Sequence, residues 1–252
     1  MRFLIPFLLL FGQSVFAQQE VIKVHSHNDY NRTKPFWEAY NGGASSIEVD
    51  VFLKNDTLFV AHDKDEIIQE RTIKKMYFEP LKKIASLPRD SQQTLQLLID
   101  IKSDAIPTLD KLVRVLQSYK VLRDSNFITL VISGNRPLIS EYTNYPDYIL
   151  FDYQQLSDIK DPLSWKKIAL ISLPFYKHSK WDGKSRLTGL EYRKIRSVIE
   201  KAHLLGKPFR FWAIPDTELT WEVFSRMGID FVNTDNPAEC FEFLASQKKE
   251  RQ

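Results

Sequence analysis

SIEVDVFL, residues 46–53, is the stretch on which the fold turns. Ile47, Val49 and Val51 alternate with Glu48 and Asp50, the period of a β-strand. Both carboxylates therefore project from one face of an otherwise apolar strand. Side by side in such a setting they repel each other and lose hydration, unless something positive sits between them.

Working outward, short apolar runs recur on both sides. Residues 21–24 precede a polar cluster, and residues 58–61 follow an Asn55-Asp56 turn. Residues 95–101, 127–132, 148–151, 168–173, 208–214 and 229–233 read as further strands. Helical patterns lie between several of them: residues 107–119 opened by Pro107, residues 190–205 stopped by Gly206, and residues 218–227. About eight alternations of strand and helix predict a parallel sheet closed into a TIM-type (β/α)8 barrel, one domain over residues 18–252. The alternative is an open doubly wound sheet, but no glycine-rich phosphate loop follows the first strand.

Composition narrows the function classes. An apolar content of 43% supplies a sizeable core. A net charge of +3, spread along the chain, gives no basic patch and points away from nucleic acid. Cys240 is the single cysteine, so no internal disulfide and no cysteine-based metal cluster can form. Met1 and Arg2 lead into apolar residues 3–11 and then Val15-Phe16-Ala17, the pattern of a cleavable signal peptide over residues 1–17. That predicts a secreted or periplasmic protein with no transmembrane segment in the mature chain.

The polar residues that carry chemistry fall where strands end, the rim on which barrels assemble their sites. His25, Ser26, His27, Asn28 and Asp29 end the first strand, His62 and Asp63 the hairpin strand, and Asp100 and Lys102 the next. Glu48, Asp50, Asp100 and Asn28 offer oxygen ligands that suit one divalent cation, Mg2+ or Ca2+. A zinc site on the histidines is the competing chemistry. His25, His27 and His62 are candidate acids and bases, because imidazole exchanges a proton near neutral pH. His203, on its helix, reads as a packed core residue, and His178, in a polar loop with Lys177 and Lys180, is assigned no role. Neither a G-x-S-x-G elbow, a P-loop nor an H-E-x-x-H pattern is present.

At these residues the sequence resembles the phospholipase C-like phosphodiesterases, the superfamily of glycerophosphodiester phosphodiesterases and phosphatidylinositol-specific phospholipases C. Ser26-His27-Asn28-Asp29-Tyr30 is similar to the S-H-N-x-Y motif of the phospholipases. Glu48-Val49-Asp50-Val51 and Val60-Ala61-His62-Asp63 are similar to the E-x-D-V and V-x-H-D segments of the glycerophosphodiesterases. Leu98-Ile99-Asp100-Ile101-Lys102 resembles their E-x-K strand with Asp for Glu, and Thr234-Asp235-Asn236-Pro237 their closing T-D-x-P. The string from His25 to Tyr30 also resembles a less characterised branch of the superfamily.

The resemblance implies a metal-dependent phosphoric diester hydrolase with two catalytic histidines, His27 and His62. His25 is the alternative for the first, since glycerophosphodiesterases begin with H-R-G. It implies Asn28, Glu48, Asp50 and Asp100 as metal ligands and Lys102 and Arg136 as groups holding the phosphate, while Trp212 is a candidate for stacking on the substrate head group. The expected partner is a small-molecule or lipid-derived phosphodiester. Other readings are a phosphatidylinositol-type phospholipase C, a phosphomonoesterase, or a non-catalytic ligand-binding barrel.

Overall fold

The computed structural model describes residues 23–87 and 94–249. The expected signal peptide and the first two residues of the expected first strand, Val21 and Ile22, lie outside them.

Among the described residues, nine strands form one sheet: β1 (Lys23–Ser26), β2 (Ser46–Lys54), β3 (Thr57–Val60), β4 (Leu95–Ile101), β5 (Ile128–Gly134), β6 (Ile149–Tyr153), β7 (Ile168–Pro174), β8 (Phe209–Trp212) and β9 (Phe231–Thr234). Eight of them run parallel in the ring β1-β2-β4-β5-β6-β7-β8-β9, which closes by β9 pairing with β1. The chain is thus a single TIM-type barrel. β3 stands outside the ring, paired antiparallel to β2. Its two-residue turn has Asn55 and Asp56 at φ 47 and 57, the left-handed pair of a type I′ hairpin, which short polar residues tolerate best after glycine.

The helices are α1 (Trp37–Asn41), α2 (Glu79–Ala85), α3 (Ala105–Leu116), α4 (Lys120–Arg123), α5 (Pro162–Lys166), α6 (Gly189–Leu204), α7 (Glu218–Met227) and α8 (Pro237–Lys249). Thr188 and Thr217 cap α6 and α7 through their side-chain oxygens. The outer ring is irregular. α5 is a single turn, and β5 reaches β6 through a 3-10 segment, Ile139–Asn144, with no α-helix. The alternation expected from sequence is therefore incomplete on this side.

A period of two inside the barrel positions the site. Leu98, Val131, Leu170 and Phe231 form an apolar plug, with Leu150 packed against it. Two residues further along the same strands stand Asp100, Ser133, Ser172, Asn233 and Asp152. The interior thus changes from apolar to polar towards the strand C-termini. The larger core, between ring and helices, takes the opposite strand faces, including Ile99, Ile101, Leu130 and Ile132. β8 is shorter than expected, stopping at Trp212 because Ala213 adopts φ 53. His203 is corrected too: its side chain is 40% exposed and bonds Asp230 Oδ2 at 2.7 Å, so it is not a core histidine.

Candidate active site

The loop after β1 is built around Asp29. This buried carboxylate accepts hydrogen bonds from the Phe36 amide at 2.6 Å and the Tyr77 hydroxyl at 2.9 Å. Asp29 therefore anchors the backbone. Asn28 takes a left-handed conformation at φ 48, which sets its amide beside Tyr30. The Tyr30 hydroxyl is a hub, 2.9 Å from Asn28 Oδ1, 2.8 Å from Asp50 Oδ2 and 3.2 Å from His62 Nδ1. Arg71 fixes the same loop by donating to the Tyr30 carbonyl.

Glu48, Asp50 and Asp100 converge as the pattern of β2 and β4 requires: Asp50 pairs with Asp100 in register, and ligand atoms of the three lie within 4.8 Å of one another. Burial, and then the negative field of Glu48, raise both aspartates, Asp100 to about 6. Glu48 behaves oppositely. Burial opposes its charge, but the Arg210 guanidinium at 2.8 Å and the His25 hydrogen bond hold it well below the usual carboxylate range. Lys102 bridges the aspartates, with Nζ 3.2 Å from Asp50 and 3.0 Å from Asp100. Burial disfavours its ammonium, yet the two carboxylates outweigh that and raise its pKa.

The two histidines of the first strand differ sharply. His25 is fully buried, with Nδ1 2.7 Å from Ser46 Oγ and Nε2 2.8 Å from Glu48 Oε2, and it also touches Arg210. Gln96 donates to the Ser46 hydroxyl at 2.8 Å, which leaves the serine proton free to meet Nδ1. Burial, then Arg210, lower His25 to about 3, so it is neutral. His27 lines the cavity above with its side chain 34% exposed, and its Nδ1 lies 2.8 Å from Asp235 Oδ1. Burial disfavours its charge, but the Asp235 hydrogen bond and the charge of Glu48 prevail and raise its pKa. His62 enters the same cavity from the end of β3, its Nδ1 held 3.0 Å from Asp50. Both His27 and His62 thus anchor one ring nitrogen on a carboxylate and keep Nε2 without a partner among the described residues.

The cavity holding these groups measures ≈ 410 Å³ and takes in Lys102 and Trp212. Trp212 meets Tyr176 edge to face at 5.7 Å. Arg136, expected beside Lys102, faces a neighbouring cavity with its guanidinium 4.0 Å from Asp152. Asp235, Tyr30 and Arg210 were not assigned from sequence. The one signal for Arg210 was a charge inside an apolar strand, the same sign that marks Glu48 and Asp50.

The acidic cluster suits a divalent cation. Asp50 Oδ1 and Asp100 Oδ1 are buried with no hydrogen-bond partner, and unpaired buried carboxylate oxygens are costly. All three donors are oxygens, which favours a hard cation.

The sequence profile of the AIM6-like phosphodiesterase domain matches residues 13–87. The chain is 30% identical over 259 residues to the altered inheritance of mitochondria protein 6 homolog of Arthroderma benhamiae, covering 85% of this chain and 81% of that protein. Its fold is similar to that of a glycerophosphodiester phosphodiesterase from Parabacteroides distasonis, with TM-score 0.62 and 18% identity over 91% of this chain and 99% of that one. A Ca2+-dependent phosphatidylinositol-specific phospholipase C from Streptomyces antibioticus matches with TM-score 0.56 and 11% identity, over 87% of this chain and 96% of that one.

Proposed function

We propose, from the premise that this chain belongs to the AIM6-like phosphodiesterase family within the phospholipase C-like superfamily, that it is a divalent-cation-dependent phosphoric diester hydrolase. The observation that carries the reading is a single cavity where two histidines from separate strand ends, each braced by a carboxylate, meet three clustered acids. A barrel needs no such arrangement for stability, since replacing buried charges by apolar residues is often neutral or stabilising.

Asn28, Glu48, Asp50 and Asp100 would hold one Mg2+ or Ca2+. When bound, that ion supplies positive charge against the phosphoryl oxygens. Lys102 adds a second positive group at the same place. His62, with Nδ1 fixed by Asp50 and Tyr30, presents Nε2 to take the proton of the attacking hydroxyl or water. His27, kept protonated more readily by Asp235, presents Nε2–H to the departing alkoxide. His25 works beneath them, fixing Glu48 through a neutral ring. Trp212, at the cavity edge, offers a face for the substrate's organic part.

The substrate on this reading is a small-molecule or lipid-derived phosphodiester. Residues 1–17 are removed on export, which places the mature protein outside the cytosol, and N-terminal sequencing of the purified product tests this. No helix among the described residues is long and apolar enough to cross a membrane. Hydrolysis of glycerophosphodiesters and of bis(4-nitrophenyl) phosphate, in EDTA and then with added Ca2+ or Mg2+, tests the activity. The expected result is turnover lost in EDTA and restored by one cation. Absence of turnover with every diester and cation overturns the reading.

A further inference from the structure

A second cavity, ≈ 640 Å³, adjoins the catalytic one, and Gly134, Asn135 and Gln154 line both. A ligand whose phosphate lies among the acids and histidines can therefore extend one arm past the ends of β5 and β6. The second cavity holds neither histidine nor cysteine among its lining residues.

Its one cation among those residues is Arg136. Tyr142, stacked on Phe151 with ring centroids 3.7 Å apart, neighbours the guanidinium, whose Nη1 is buried with no hydrogen-bond partner. Asp152 is the nearest carboxylate, but its Oδ2 is 4.0 Å away and already accepts from Ser133 at 2.9 Å and Ser172 at 2.6 Å. This is not the paired, two-bond geometry that satisfies an arginine, which carries five donors in a fixed fork. Asp104 is the only acid in the lining and is exposed at the mouth, where water and salt screen it.

We propose that this cavity is a subsite for an anionic group, a phosphate or carboxylate, on one arm of the diester, held by Arg136 with the Asn135 and Gln154 amides beside it. The proposal rests on the diesterase reading and narrows its substrate class to diesters with a second negative charge on one arm. A planar guanidinium in a partly buried wall matches such an oxyanion, and truncating it loses a charged hydrogen bond.

The test is equilibrium binding of inorganic phosphate to the mature protein in EDTA, with no cation to bridge the anion to the acids of the catalytic cavity. Binding should survive His62→Ala and weaken by about tenfold or more in Arg136→Gln, the loss ordinary for one charge-assisted contact. Leu138, exposed in the cavity wall, provides a second variant without risk to folding: Leu138→Glu should weaken phosphate binding more than Leu138→Gln. With cation restored, kcat/KM should favour a diester bearing a terminal phosphate or carboxylate over one with neutral arms, and Arg136→Gln should erode that preference.

Phosphate binding that is absent, or indifferent to Arg136→Gln and Leu138→Glu, overturns the subsite. Turnover of neutral diesters with no preference for the anionic arm does the same while leaving the hydrolase reading intact. Arg136-dependent phosphate binding without turnover of any diester supports the subsite and overturns the hydrolase.

Discussion

Gly134 offers the sharpest test of how the acidic cluster is held. It ends β5 at φ +66, and a Cβ built there would stand 2.5 Å from the Ile101 carbonyl oxygen and closer still to Asp100 Oδ1. Gly134→Ala then meets two penalties. The left-handed backbone costs a non-glycine residue about 1–2 kcal/mol. Overpacking against β4 adds about 1–3 kcal/mol. The sum, about 2–5 kcal/mol, lowers the melting temperature by about 4–20 °C for a chain of this size. Gly206→Ala is the control, because Gly206 sits at φ +71 with nothing within 4 Å of the added Cβ. That variant should show only the backbone part. The steric part also carries a functional consequence. To regain ordinary contact distance Asp100 must retreat by roughly 1 Å or more. Coordination tolerates only a few tenths of an ångström, so Ca2+ affinity should fall by about tenfold or more. Thermal melts of both variants across a Ca2+ titration supply every quantity. Equal destabilisation in the two variants, with an unchanged Ca2+ midpoint, refutes the reasoning.

Three further outcomes are expected. His62→Ala should lower kcat by about 10²–10⁴-fold, the range for losing a general acid or base, with a melting temperature near wild type because the side chain is 54% exposed; ordinary turnover would remove His62 from the mechanism. Asp235→Asn keeps an acceptor but deletes the charge that raises His27, so the His27 titration followed by NMR, and the alkaline limb of kcat/KM that needs its proton, should both move to lower pH; a stationary titration contradicts this. His25, lowered from 6.5 to about 3, contributes stability that is complete above pH 6.5 and lost as pH falls towards 3, about 2 kcal/mol between pH 7 and pH 5. Asp100, raised to about 6, works in the opposite sense over that window. The His25 contribution is therefore read as the difference between wild type and His25→Gln in urea unfolding, and parallel pH profiles would dismiss it.

The ring of strands was legible because its interior repeats one local rule, an apolar residue followed two positions later by a polar one. Leu98 and Asp100, like Val131 and Ser133, follow it within a single strand, where sequence alone can see it. The acids of β2 and β4 and the histidine after β3 were legible for the same reason. The missing parts depend on closure. Asp235 is 208 residues from His27, and they meet because β9 pairs with β1, an event no local window contains. Arg210 sits between Phe209 and Phe211, and only the closed ring turns it inward onto Glu48. Tyr30 was present in the motif, but its three-way contact requires the left-handed turn at Asn28. The connection from β5 to β6 is a 3-10 segment, and on that side the Arg136 cavity lies.

The hairpin formed by β2 and β3 gives the site an unusual division of ownership. The acids belong to strands locked into a closed cylinder, where a shift of one residue would disturb every neighbour. His62 belongs to a ribbon outside that ring, held by its seam with β2, by the Phe59–Thr72 bridge and by the two-residue Asn55-Asp56 turn. Such a ribbon can be lengthened, shortened or exchanged without breaking the ring's closure. Natural variation thus has a place to retune the reach of His62 while the charge-bearing floor stays as it is.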